Sequence, residues 1–138
     1  MLRGYYRSIS EYRGDIMFIE IDFNSEEAIY VQLRNQIIVA IATSQLKEGE
    51  LLPSVRSMAD DIGVNMHTVN KAYSSLRQDG FLKVDRRRGA VVSVNVDKIK
   101  SMTKMKTYLK PVIASAMVKG ITREEARALI DEIYDEME

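Results

Sequence analysis

The stretch Leu52-Pro53-Ser54-Val55-Arg56-Ser57-Met58-Ala59-Asp60-Asp61-Ile62-Gly63-Val64-Asn65-Met66-His67-Thr68-Val69-Asn70-Lys71-Ala72-Tyr73 decides how this chain folds. Proline cannot continue a preceding helix, whereas the serine after it can accept a hydrogen bond from the free amides of a new first turn. A short helix is therefore predicted from about Val55 to Ile62, burying Val55, Met58, Ala59 and Ile62. Gly63 ends it in the left-handed conformation, where a side chain would clash. Only Val64 separates that glycine from Asn65, the expected cap of a next helix whose inner face is Val69, Ala72, Tyr73 and Leu76 and which Gly80 closes. Two short helices joined by a tight glycine turn mark a helix-turn-helix.

Upstream, Ile29, Leu33, Ile37 and Ile41 recur every fourth residue, and Tyr30 and Ile38 widen the stripe into a core-facing band, with Ser25 as the expected cap. The polar segment Lys47-Glu48-Gly49-Glu50 breaks that helix. Downstream, Phe81 to Val84 and Ala90 to Val94 are apolar, β-branched runs flanking Asp85-Arg86-Arg87-Arg88-Gly89, the pattern of a hairpin with a basic tip. Beyond it a helix is expected over about Val96 to Lys119, with Ile99, Met102, Leu109, Val112, Ile113, Ala116 and Met117 on its buried face and Pro111 kinking or splitting it. Gly120 stops it, and Thr122 to Glu125 form a capping box for a last helix bearing Ala126, Leu129, Ile130, Ile133, Tyr134 and Met137. Residues 1–24 read as an amino-terminal tail. Within it, Arg13-Gly14-Asp15 can be encoded by a purine-rich run resembling a ribosome-binding site, which leaves two readings open for residues 1–16: an ordinary terminal tail, or an upstream extension with translation beginning at Met17.

A chain of 138 residues has room for one ordinary domain and a short appendage, but not for a second full metabolite-binding domain. Its 46% hydrophobic and 29% charged residues are those of a globular protein. Cysteine is absent and His67 is the single histidine, which removes disulfides, thiolate metal sites and most zinc geometries, so neither cofactor nor metal is expected. No apolar run approaches the ~20 residues of a membrane span, and a cytoplasmic location with no membrane partner is expected. The net charge of zero hides an uneven distribution. Residues 28–92 hold nine Lys/Arg against six Asp/Glu, residues 97–119 carry a net +5 and residues 120–138 a net −5, which suggests two segments that pair.

Three motifs in order, Ile29-Tyr30-Val31-Gln32-Leu33, Leu52-Pro53-Ser54-Val55-Arg56-Ser57-Met58-Ala59 and Gly63 to Tyr73, resemble the GntR-type bacterial regulators over about residues 26–92. The short helical tail is similar to that of the YtrA-like subfamily, whose members lack larger metabolite-binding domains. The resemblance implies a mainly α fold: a winged helix-turn-helix of three helices plus a β-hairpin over residues 25–95, followed by a two-helix dimerisation or effector tail over 96–138. It implies that Arg56 contacts DNA and that the wing tip meets the minor groove. Arg87 stands where a glycine is common in the family, and Met66 where an arginine or proline is common, so the base preference does not carry over.

The residues support the same surface on physical grounds. A recognition helix enters the major groove by its amino-terminal turn, where Asn65, His67, Thr68, Asn70 and Lys71 offer groups that bond phosphates and base edges. Ser54 and Arg56 flank them, and the cations Arg86, Arg87 and Arg88 beside Gly89 suit a narrow minor groove. The bland alternatives are ordinary solvated positions, an ion pair of Arg56 with Asp60 one turn on, and a solvated arginine run. Leu109, Val112, Ile113, Met117, Leu129 and Ile133 are the expected dimerisation residues, because two short amphipathic helices cannot bury their faces alone. Catalysis lacks its groups: no glycine loop for phosphate, no HExxH and no nucleophile motif occurs, and adjacent Asp60 and Asp61 diverge by about 100° on a helix. The expected function is a homodimeric repressor of transcription on an inverted-repeat double-stranded DNA operator, and not an enzyme. The alternative is a winged-helix protein–protein interaction module without specific DNA binding. Any small-molecule effector is expected between tail and winged helix, although signalling through a partner protein or without a ligand fits equally well.

Overall fold

The computed structural model describes the backbone of Arg3–Tyr5 and residues 19–138; the proposed start at Met17 and most of the expected tail lie outside the described residues. The elements run β1 (Arg3–Tyr5), β2 (Glu20–Asp22), α1 (Ile29–Ala42), α2 (Val55–Ile62), α3 (Met66–Gln78), β3 (Leu82–Asp85), β4 (Gly89–Val92), α4 (Lys98–Val118) and α5 (Arg123–Met137). The chain divides into two compact units, residues 1–95 and 96–138.

In the first unit α1, α2 and α3 close around one core. Leu33 and Ile37 of α1, Met58 and Ile62 of α2, and Val69 and Leu76 of α3 are all buried. These are the positions that the helical period puts on the inner faces. Arg34 ties α1 to α3 outside the core, donating from Nε to Ser75 Oγ at 3.0 Å and pairing with Asp79 at 2.6 Å. Tyr73 reaches across from α3 and donates its hydroxyl to the Pro53 carbonyl at 2.9 Å, satisfying the one polar atom of a buried ring.

Two features ahead of α1 depart from the expectations. Ser25 does not cap α1: Ala28 is the cap residue and offers no side-chain hydrogen bond, and Ser25 Oγ instead accepts from the Glu27 amide. The chain before α1 is held by two glutamines one turn apart. Gln32 accepts from the Asp22 amide at 2.9 Å and donates to the carbonyls of Asp22 (3.0 Å) and Glu27 (2.9 Å). Gln36 accepts from the Glu20 amide and donates to its carbonyl. The two amide side chains thus act as a neighbouring strand for one edge of β2, while β1 pairs antiparallel with β2, Gly4 opposite Ile21. Ile19 and Ile21, inside the stretch expected to be tail, consequently enter the core. The signal was the alternation Ile19-Glu20-Ile21-Asp22, too short to stand out beside the helical stripe.

The hairpin of β3 and β4 is antiparallel, with Leu82 opposite Val92 and Asp85 opposite Gly89. The segment 49–52, which overlaps the polar stretch 47–50 expected only to break α1, lies along the other edge of β4. Gly49 donates to the Val92 carbonyl, Val92 to the Glu50 carbonyl and Leu52 to the Ala90 carbonyl, at 2.8, 2.8 and 2.9 Å. This makes β4 the middle of a three-stranded ribbon and fixes the base of the wing to the amino-terminal end of α2.

In the second unit α4 runs unbroken from Asp97, whose carboxylate caps it through the Lys100 amide, to Val118. Pro111 does not split it, contrary to one expectation. The capping box of α5 is present in both directions, Thr122 to Glu125 and back. Neither helix buries a residue: Ile99, Met102, Val112, Ile113, Met117, Leu129 and Ile133 are exposed. The expectation of a buried face on α4 is therefore not met within one chain.

Candidate nucleic-acid interface

The helix-turn-helix is set by three local devices. Ser54 caps α2 by accepting from the Ser57 amide at 3.1 Å. Gly63 ends α2 with φ +65° and ψ +34°, where any other residue would be strained. Asn65 then caps α3 by accepting from the His67 amide at 2.8 Å. Because these caps use local atoms, the opening turn of α3 leaves the side chains of His67 and Asn70 exposed, and Thr68 half-buried.

Two adjoining concavities gather the expected contacts. One is bordered by Val55, Asn65, Met66, His67 and Asn70, where the start of α2 faces the start of α3. The other is a groove of about 380 Å³ in which Ser54, Asn70 and Gly89 meet over a floor that includes Tyr73, Leu82 and Ala90. Val55 and Asn70 belong to both, so the helix starts and the wing form one continuous surface. Arg56, next along α2, is exposed and makes no ion pair among the described residues, so the pairing with Asp60 does not occur. Burial raises the hydroxyl pKa of Tyr73, which stays neutral behind this surface.

At the wing tip the arginine run divides. Asp85 accepts from the Arg87 amide (2.8 Å), the Arg88 amide (3.2 Å) and Arg88 Nε (3.1 Å). The Arg87 amide first, then the Arg88 guanidinium and amide, hold the Asp85 carboxyl below its ordinary pKa. Gly89 closes the turn at φ +92°. Arg88 is therefore a brace within the turn, and Arg86 and Arg87 are the cations left for a ligand.

Lys71 lines neither concavity: its Nζ lies 4.2 Å from the centre of the Tyr30 ring, on α1. The structure also adds residues that the sequence did not single out. Ser74 and Arg77 line the groove, and with Asn70 they sit at the i, i+4, i+7 spacing of one helical face. That spacing was legible; what was missing was the wing packed alongside it. Among the described residues no cluster of His, Cys, Asp and Glu could hold a metal ion, and no helix is long and apolar enough to cross a membrane.

A three-helix domain whose capped third helix presents polar side chains beside a basic β-wing is a winged helix-turn-helix, the architecture of DNA-binding transcriptional regulators. Residues 26–92 match the family model of bacterial regulatory proteins, gntR family, and the chain belongs to that family. It is 36% identical over 118 residues to the HTH-type transcriptional repressor YtrA of Bacillus subtilis (strain 168), covering 83% of this chain and 91% of the relative. A solved structure described as a transcriptional antiterminator from Listeria monocytogenes EGD-e superposes with a TM-score of 0.77 at 31% identity, covering 85% of this chain and 90% of that one. YtrA from Sulfolobus acidocaldarius, a GntR-family transcription factor, is 44% identical with a TM-score of 0.57, covering 65% and 93% of the two chains. The family is one of regulators, and the chain is a DNA-binding transcriptional regulator of the YtrA-like type, not an enzyme.

Proposed function

We propose that this protein represses transcription as a homodimer bound to an inverted-repeat operator, with residues 25–95 as the DNA-binding unit and 96–138 as the dimerisation unit. One observation carries the reading: Ser54, Asn65, His67, Asn70 and Gly89 border one continuous concave surface, with the unpaired Arg56 next to Val55 in the chain. In this reading His67, Thr68 and Asn70 meet base edges, and Arg56 and Lys71 meet phosphates. Arg86 and Arg87 enter the minor groove, while Arg88 shapes the tip. The dimer rests on the apolar stripes of α4 and α5, through the exposed Val112, Ile113, Met117, Leu129 and Ile133 and the half-buried Leu109. A two-fold pair of such domains matches half-sites centred about 10 bp apart. The name of the Bacillus relative, a transcriptional repressor, supports repression over activation.

Selection of bound sequences from random duplex DNA tests this. The expected result is a consensus with a dyad and an affinity that falls steeply with salt, by about 0.9 in log–log slope per phosphate contacted. A consensus without a dyad overturns the dimeric mode. Binding with no sequence preference at all favours the protein–protein interaction module.

A further inference from the structure

We infer that Tyr30 is a positioning residue for DNA binding, its ring serving as a platform that holds the Lys71 ammonium ready for a backbone phosphate. This rests on the DNA-binding reading above and extends the functional surface to the first turn of α1, outside the helix-turn-helix and the wing.

The observation is the contact itself. Lys71 Nζ stands 4.2 Å from the centre of the Tyr30 ring, well inside the ~6 Å range in which an aromatic face attracts a cation. Tyr30 is half-buried against the core, so its ring is fixed by packing, whereas Lys71 is exposed on α3 one residue after Asn70. The ring is the sole partner of the Lys71 ammonium among the described residues, since no carboxylate pairs with it. A free lysine has four rotatable bonds to immobilise when it meets a phosphate. An ammonium already resting on a neutral ring has lost much of that freedom and keeps its full charge. A carboxylate in the same place would hold the lysine too, but would cancel the charge that phosphate needs. A ring orients the cation through a weaker attraction that leaves its net charge uncancelled, and orientation before binding lowers the entropy cost of association.

The test measures the affinity of the full-length protein for its selected duplex across a salt series, with thermal unfolding as a control. Lys71→Met is expected to make the salt slope shallower by about 0.9, one phosphate contact. Tyr30→Leu, which keeps apolar packing but removes the ring, is expected to weaken binding about threefold, in the range an exposed cation–π contact supplies. Tyr30→Phe, which keeps the ring face, should bind like the parent. In the double variant, Tyr30→Leu should add nothing to Lys71→Met, because the ring acts through the lysine. Additive losses, or weakening by Tyr30→Leu that merely follows lost thermal stability, overturn the proposal. So does an unchanged slope in Lys71→Met. Each of these three results leaves the DNA-binding reading standing if the parent binds specifically, and that reading falls only if the parent shows no sequence preference.

Discussion

In residues 19–95, three helices turn their apolar stripes on one another, and Leu33, Ile37, Val69, Ala72 and Leu76 lose all contact with solvent. In residues 98–137, two longer helices with equally regular stripes leave Val112 60%, Met117 69% and Leu129 54% exposed. Both regions are capped by the same chemistry, Ser54 and Asn65 in one and Asp97 and Thr122 in the other. Caps and periodicity therefore make a helix in either place, and neither decides whether its face is covered by the same chain. Most helical stability in proteins comes from packing an amphipathic face, and the winged helix packs its own, whereas in the proposed dimer the tail takes that surface from the partner. In the proposed dimer the stability of the first region is unimolecular, and that of the second is tied to protein concentration.

The largest effect expected from this contrast comes from ending the chain at Asn95. The remaining domain should keep its fold, since every buried hydrophobic residue lies at or before Val92. It should sediment as a monomer and lose roughly 10² to 10⁴ in affinity for the inverted repeat, the factor that linked binding sites contribute. A dimer in the ultracentrifuge would remove the tail from its assigned role. Next in size, Leu76→Ala should cost ~2 to 5 kcal/mol in denaturant unfolding at any protein concentration, because Leu76 is fully buried. Val112→Ala should change unimolecular stability by less than ~0.5 kcal/mol and appear instead in the dimer dissociation constant. Equal effects of the two substitutions would erase the distinction between the regions.

Smaller changes sharpen it. Ser54→Ala and Thr122→Ala each remove a cap worth ~1 kcal/mol, but the first should lower the cooperative transition of the whole domain and the second should only fray the start of α5. Amide exchange resolved by residue would separate these outcomes. The smallest effect is confined to the wing tip. Because the Asp85 pKa is lowered in the folded state, its carboxylate favours the closed turn above the ordinary carboxylate value near ~4, and that contribution is lost as pH falls through the lowered value. The amide resonances of Arg87 and Arg88 should therefore hold steady from neutral pH to about 5 and move with a midpoint below ~4. A midpoint at or above the ordinary value would mean that Asp85 does not brace the turn.

The interrupted pattern around Gly63, the caps Ser54 and Asn65, the hairpin and the capping box at Thr122 were all legible in the sequence, because each depends on atoms within a few residues of one another. The inner faces of α1, α2 and α3 were legible for the same reason, since a helical period is local. Long-range contacts decided the rest. Ile19 and Ile21 enter the core only because Gln32 and Gln36 on α1 hold an extended segment against it. Segment 49–52 becomes part of the wing only because β4 offers an edge. Within one arginine run, Arg88 became a brace and Arg86 and Arg87 did not, because a single carboxylate at Asp85 has the reach for one guanidinium. Lys71 turned to Tyr30, 41 positions earlier in the chain, because α1 packs on α3. Local pattern specifies which elements form and which faces are apolar; which side chains are free to meet DNA depends on partners that only the folded chain brings within reach.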